Sequence, residues 1–240
     1  MNNFLGNIPG VVKNLLIINV LMFVVTFIFA KMHIDLNRIL GLYYFDSPGF
    51  KPFQIITYMF MHGGLFHILF NMYALWMFGS ALENVWGPKR FLIYYMITGV
   101  GAGLIQILVA HIRLIPLYDT IPPELLDEVL NNGYQIIQNN QNFIDPIAAK
   151  INLIINTTVV GASGAVFGLL LANGILFPNN SIFLMFPPIS LKMKYFVLIY
   201  GGIELYAGLN PGPGDNIAHF AHLGGMLFGF ILIKYWQKNA

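Results

Sequence analysis

The sequence predicts an all-α, polytopic membrane protein with six transmembrane helices, and three observations lead there. Of the 240 residues, 57% are hydrophobic and only 9% are charged, where a soluble domain carries about 25% charged residues. Mean hydropathy is +0.69, as suits a surface that is largely lipid. Apolar stretches close to the roughly 20 residues a bilayer span needs recur along the chain, with Gly- and Pro-rich turns between them.

Taken in order, the six stretches run from Asn14 to Lys31, Leu65 to Glu83, Phe91 to Ala110, Thr158 to Phe177, Lys194 to Leu209 and Ile217 to Lys234. The first is preceded by MNNFLGNIPGVVK, which has no cleavage pattern, so it reads as a retained helix. Gly87-Pro88, Pro178-Asn179-Asn180 and Pro211-Gly212-Pro213-Gly214 punctuate the connections. The fourth and fifth stretches are short and contain glycine. Residues 1–240 read as a single membrane domain, with no soluble second domain and no internal repeat.

Two connections are long. Residues 33–64 form a first loop too aromatic for a plain solvated linker; Phe45, Phe50, Phe53 and Tyr58 suit a segment lying in the interface plane. Residues 111–156 form an outer loop, Pro-interrupted and then amphipathic (ELLDEVLNNGYQIIQ), which reads as one or two surface helices forming a solvated cap.

Charge sets the sidedness. Lys13, Lys89, Arg90, Lys192, Lys194, Lys234 and Lys238 fall on the N-terminal side, against Lys31, Arg38, Lys51, Arg113 and Lys150 opposite. Seven positives against five make the N-terminus cytoplasmic by the positive-inside rule. The absence of cysteine excludes disulfides, thiol nucleophiles and Cys-ligated metals. A net charge of +2 without a basic run gives no sign of a nucleic-acid partner.

Polar groups inside spans are costly and therefore functional suspects. Ser163, in Gly161-Ala162-Ser163-Gly164, opens the fourth span at its outer end; Gly164, Gly168 and Ala172 make a small-residue face there, so by itself the serine reads as a packing site. It is not the G-x-S-x-G elbow of an α/β sheet. His222, in His219-Phe220-Ala221-His222-Leu223-Gly224-Gly225, lies near the outer end of the last span, on a helix where Ala221, Gly225 and Gly229 recur. Two such faces can bring an imidazole to a hydroxyl, and serine needs a base within hydrogen-bond distance to act as a nucleophile. His219 lies one turn before His222, and spacing leaves open which of the two is the base. No acid on a span stands out as its orienter; Phe167, one turn after Ser163, is the candidate ring instead. Glu83, at the inner end of the second span, reads as structural, capping or pairing with nearby polar groups.

His67 and Asn71, four apart, share one face of the second span. They read either as polar glue between helices or as donors of an oxyanion hole. With alternating topology, Ser163, His222, His67 and Asn71 converge on one membrane depth.

The H-x-x-x-N motif of the second span, the G-x-S-G of the fourth and the A-H-x-x-G of the sixth together resemble the rhomboid intramembrane proteases, in order and in spacing. The resemblance extends from the first span to about Phe230. It implies a rhomboid-like bundle of the six-span prokaryotic type, in which Ser163 is the nucleophile and His222 the general base. His67, Asn71 and the Ser163 backbone N–H would form the oxyanion hole. It also implies single-span membrane proteins as substrates, no cofactor, an active site opening to the outer side of the cell's plasma (inner) membrane, and a partly embedded first loop. Two positions depart from the family pattern: Phe53-Gln54 stands where a Trp-Arg pair is usual, removing the loop's usual anchor, and Phe167 stands where Tyr is frequent.

Rival readings are weaker. Gly212-Pro213-Gly214-Asp215 and Tyr118-Asp119 imitate the motifs of aspartyl intramembrane proteases, yet both aspartates fall in Pro-rich loops and a carboxylate dyad needs facing helices. H-E-x-x-H is absent, and His219 and His222 lack a third zinc ligand at recognisable spacing. A transporter would show repeated halves with broken helices. A catalytically silent rhomboid-like protein that binds transmembrane clients is the alternative, although such relatives typically lack the serine or the histidine.

Overall fold

The computed structural model describes residues 8–184, 188–210 and 218–239. The predicted turn Pro211-Gly212-Pro213-Gly214, Asp215 and the start of the sixth stretch at Ile217 lie outside the described residues, as do residues 1–7 of the N-terminal segment. The remainder forms a helical bundle in which three helices are long and apolar enough to cross a membrane. With several further apolar helices packed among them, this is an all-α, polytopic membrane protein.

The first of the three is α1 (Gly10–Lys31), whose lipid-facing residues Leu21, Phe27 and Ile28 are exposed. Its first turn is completed from elsewhere in the chain: the N–H groups of Val11 and Val12 donate to the two carboxylate oxygens of Glu83 at 2.9 and 2.8 Å. A helix start leaves N–H groups unpaired and carries partial positive charge, so a buried carboxylate there meets both needs.

The first loop holds the short helices α2 (Leu36–Leu40) and α3 (Gln54–Thr57). Gln54 is fully buried. Its amide donates to the carbonyls of Ile39 and Gly49 at 3.0 Å each and accepts from the Lys51 N–H at 3.1 Å. This one side chain ties both limbs of the loop together, which answers how the loop is held without a Trp-Arg pair. Of the aromatics in this loop, Phe45 and Phe53 are half exposed, but Tyr58 is buried and belongs to the core. Its hydroxyl donates to the Gly99 carbonyl at 2.7 Å.

The second crossing is continuous but irregular: α4 (Leu65–Ala74) passes through a π turn at Leu75–Gly79 into α5 (Ser80–Trp86). A π turn displaces backbone groups from the regular ladder. Buried Asn173 donates its amide to the Phe78 carbonyl there at 3.1 Å.

The third crossing, α6 (Pro88–Tyr118), runs eight residues beyond the predicted Ala110. The reason lies in the segment that follows, which carries α7 (Pro123–Gln138) and α8 (Pro146–Asn156). These helices build a second hydrophobic core with Tyr44 and the end of α6, centred on Leu114, Val129, Ile151 and Ile155. Arg38 of the first loop closes the assembly, donating to the Gln138 carbonyl at 2.9 Å and to Asn140 Oδ1 at 3.0 Å. The segment thus holds two helices, as its pattern suggested, but they pack on a core of their own where a solvated cap was expected.

The centre of the bundle is α9 (Ser163–Leu176), buried from Gly164 to Leu170. It begins at Ser163 and not at Thr158, because the preceding residues are held in extended form. Leu42 and Val159 exchange two backbone hydrogen bonds of 2.9 Å, and the Gly161 N–H donates to the Tyr58 carbonyl at 2.9 Å. After α9 comes a hairpin, β1 (Ser181–Leu184) and β2 (Ile189–Lys192), antiparallel with Ser181 opposite Lys192. It was not foreseen from the sequence. The chain then runs through α10 (Met193–Leu209) to α11 (His219–Lys238).

Small residues bring α6, α9 and α11 together. A Cβ on Gly225 of α11 would collide with the backbone carbonyl of Gly164 on α9, and one on Gly164 with the Ala102 side chain of α6. Gly168 and Gly229, on the two predicted small faces, meet Thr98 and Tyr94 of α6. Arg113 donates to the Gly208 carbonyl of α10 at 2.6 Å and lies over the Phe220 ring, a cation at a helix C-terminus.

Gly225→Ala should accordingly lower the unfolding temperature in detergent, with an overpacking cost of about 1–3 kcal/mol. Gly202→Ala, where nothing lies within 4 Å of the added carbon, should not lower it.

Candidate active site

Two of the predicted site residues, Ser163 and His67, depend on a constraint at the turn before α9. Gly161 has φ +134°, a conformation that side-chain-bearing residues rarely adopt. A Cβ there would lie 2.8 Å from His67 Nε2 and 3.4 Å from Ser163 Oγ. The glycine thus permits both the turn that presents Ser163 and the approach of the His67 ring from α4.

Ser163 and His222 meet: His222 Nε2 lies 2.9 Å from Ser163 Oγ. The imidazole is fixed on its face by Phe167, whose ring is parallel within 6° at a centroid distance of 4.2 Å. Behind Phe167 the stack continues through Tyr200, at 5.3 Å, to Phe196, at 5.6 Å, both from α10. Ring stacking on His222 therefore needs no hydroxyl at position 167.

The expectation that no acid on a span addresses the histidine is corrected by Glu204 of α10. Its Oε2 lies 2.8 Å from His222 Nδ1 and 2.7 Å from His219 Nδ1, and all three side chains are buried. Glu204 falls within the predicted fifth span, and an ionisable group inside a span was itself the signal that could have found it. The two histidines are thereby distinguished: both touch Glu204, and His222 is the one that reaches Ser163.

His67 and Asn71 border the same place from α4. The Gly63 N–H donates to His67 Nδ1 at 3.3 Å, which puts the ring proton on Nε2, the atom that faces Gly161. His62 packs edge-on against this ring at 5.2 Å. Asn71 donates one amide hydrogen to the His67 carbonyl at 2.8 Å; a primary amide carries two.

Among the described residues, Glu204, His219 and His222 also form a group whose ligand-type atoms lie within 4.8 Å of one another. The third ligand that spacing did not reveal is thus Glu204, and two imidazoles with a carboxylate are a donor set zinc accepts. Those atoms are, however, engaged with one another and with Ser163 at 2.7 to 2.9 Å. A hydroxyl beside an imidazole nitrogen can pass it a proton and become a nucleophile, which is the chemistry the contact permits.

Fold and site together define a polytopic membrane protein with a buried polar cluster at one end of its central helices. Residues 50–116 and 130–238 match the Rhomboid domain family, and the chain belongs to the rhomboid family, a membership consistent with intramembrane proteolysis. It is 27% identical over 77% of its length to RHOMBOID-like protein 4 of Arabidopsis thaliana. It is 26% identical over 88% to the mitochondrial presenilin-associated rhomboid-like protein of Bos taurus, and 25% over 85% to that of Homo sapiens. The aligned parts make up only 34%, 46% and 44% of those relatives, so the chain spans less than half the length of each.

Gly161→Ala should introduce about 1–3 kcal/mol of backbone strain and push His67 aside. The expected readouts are a lower unfolding temperature and slower reaction of Ser163 with a fluorophosphonate.

Proposed function

We propose that this chain is an intramembrane serine endopeptidase that cleaves transmembrane or membrane-proximal segments of single-span client proteins. The observation that carries the reading is the 2.9 Å contact between Ser163 Oγ and His222 Nε2, within a chain of the rhomboid family. Six spans of the minimal prokaryotic type, formed by α1, α4–α5, α6, α9, α10 and α11, enclose the site in a single membrane domain. The N-terminus is cytoplasmic and the site opens to the outer side.

In the reaction a locally unwound client segment enters as an extended peptide. Ser163 Oγ attacks the scissile carbonyl carbon while its proton passes to His222 Nε2. The oxyanion is held by His67 Nε2–H, the free amide hydrogen of Asn71 and the Ser163 backbone N–H. The C–N bond then breaks, the leaving amine takes the proton from His222, and water, activated by the same imidazole, hydrolyses the acyl-enzyme. Helix-breaking residues in the client favour cleavage, since exposing a peptide bond in lipid means giving up helical hydrogen bonds. No metal or cofactor takes part.

Cleavage of a model single-span substrate in liposomes tests this. Ser163→Ala and His222→Ala should each reduce kcat by more than about 10³-fold, and His219→Ala should retain activity that His222→Ala loses. Undiminished cleavage by Ser163→Ala would end the serine reading. Wild-type inertness together with client binding would instead favour a silent, client-binding rhomboid-like protein.

His67→Ala and Asn71→Ala should each lower kcat by about 10²- to 10³-fold, the range for loss of one oxyanion donor, with little change in KM. Cleavage should continue undiminished in EDTA.

A further inference from the structure

We propose that Glu204 is a positioning residue of this site: its carboxylate, steadied by His219, holds His222 in the one tautomer and orientation that can accept the Ser163 proton. The inference rests on the serine-protease reading above and adds to it a third, acidic partner from α10.

The geometry runs from the membrane inward. An ionised acid on an apolar helix is costly unless partnered, and Glu204 sits on a helix whose neighbouring residues Ile203, Leu205 and Tyr206 are exposed on its outer faces. Its carboxylate turns the other way, into the bundle, where Oε2 meets two imidazole nitrogens at 2.7 and 2.8 Å. An ionised carboxylate oxygen only accepts, so both Nδ1 atoms carry their protons. For His222 this leaves Nε2 with its lone pair, and that is the nitrogen 2.9 Å from Ser163 Oγ. With the opposite tautomer, Nε2 would carry the proton and could only donate to the serine.

His219 gives the arrangement its direction. A carboxylate bound to one ring could rotate with it. Bound at the same oxygen to a second ring one turn earlier on α11, it is held from two sides. The face of His222 is held separately, by Phe167 at 4.2 Å. Hydrogen bond and stack together restrict both tilt and spin of the base.

The proton balance follows. As the Oγ–carbonyl bond forms, the Ser163 proton goes to Nε2. The Nδ1 proton stays on the imidazolium, hydrogen-bonded to Glu204, whose negative charge stabilises that cation. When the C–N bond breaks, the Nε2 proton leaves with the amine and the neutral tautomer is restored. Glu204 touches neither substrate nor the reacting atoms and transfers no proton.

The test uses the full chain in detergent or liposomes, with fluorophosphonate labelling at Ser163 as the common readout. Wild type should label and Ser163→Ala should not; a wild type that fails to label overturns the serine reading and this inference with it. Glu204→Gln should label about 10²- to 10⁴-fold more slowly, the range for losing the orienting carboxylate of a serine protease. In client cleavage it should lower kcat with KM unchanged, and Glu204→Asp should recover part of the loss. Labelling and kcat at wild-type values in Glu204→Gln, with wild type active, overturn the inference while leaving the serine reading intact. Because removing a buried acid can unfold the bundle, nitrogen-15 NMR of histidine-labelled wild type provides a second measurement. It should find His222 protonated at Nδ1 and bare at Nε2; the reverse tautomer overturns the proposal without any variant.

Discussion

The backbone carbonyl of Gly164 lies where a side chain on residue 225 would begin, and that approach of α9 to α11 sets how near Ser163 can come to His222. No hydrophobic force draws helices together in lipid, so small residues do it by allowing close packing and nothing more. Ser163 and Gly164 are consecutive, and His222 is one turn before Gly225. The contact between backbones and the contact between functional groups are therefore parts of one surface. Enlarging either glycine separates the hydroxyl and imidazole through the helices that carry them.

Around that contact, each remaining helix fixes one more degree of freedom. The third crossing fills the groove behind α9 and α11 with Thr98, Ala102 and Tyr94. From α4, the His67 ring reaches the turn before Ser163, at a place only glycine can occupy. The first loop holds that turn extended through Leu42 and Tyr58. The helix α10 contributes both the carboxylate and the second ring of the aromatic stack. The site is thus assembled from segments spread across the chain, and its geometry is a property of the whole bundle.

This distribution explains what could be read from the sequence. The apolar stretches emerge as helices, since length and hydropathy are local properties, although the third ends later and the fourth begins later than expected. His67, Asn71, Ser163 and His222 could be singled out as candidates because each interrupts an apolar run, and a polar group there demands a reason. The two glycine faces allowed an imidazole to approach Ser163, but they left His219 and His222 equally eligible, and only the motif resemblance singled out His222. Glu204 was equally visible as an acid in a span but went unread: no spacing rule connects it to a histidine 18 residues later. The length of α6 was underestimated for a related reason. Its last turns are stabilised by α7 and α8, and the hydropathy of one segment does not register a packing partner elsewhere in the chain. Gln54, seen only as a substitution in a motif, proved to be an anchor because its three hydrogen bonds are to backbone, which carries no sequence signature.

Glu83 binds the N–H groups of residues 71 and 72 positions earlier, and this has a consequence for the order of biogenesis. At a synthesis rate of about 5–20 residues per second, the first helix emerges several seconds, roughly, before the carboxylate that completes its start. During that interval its leading amides lack the carboxylate they meet in the folded chain. The start of the first helix is therefore completed only after the second crossing has been made, and the chain itself supplies the delay.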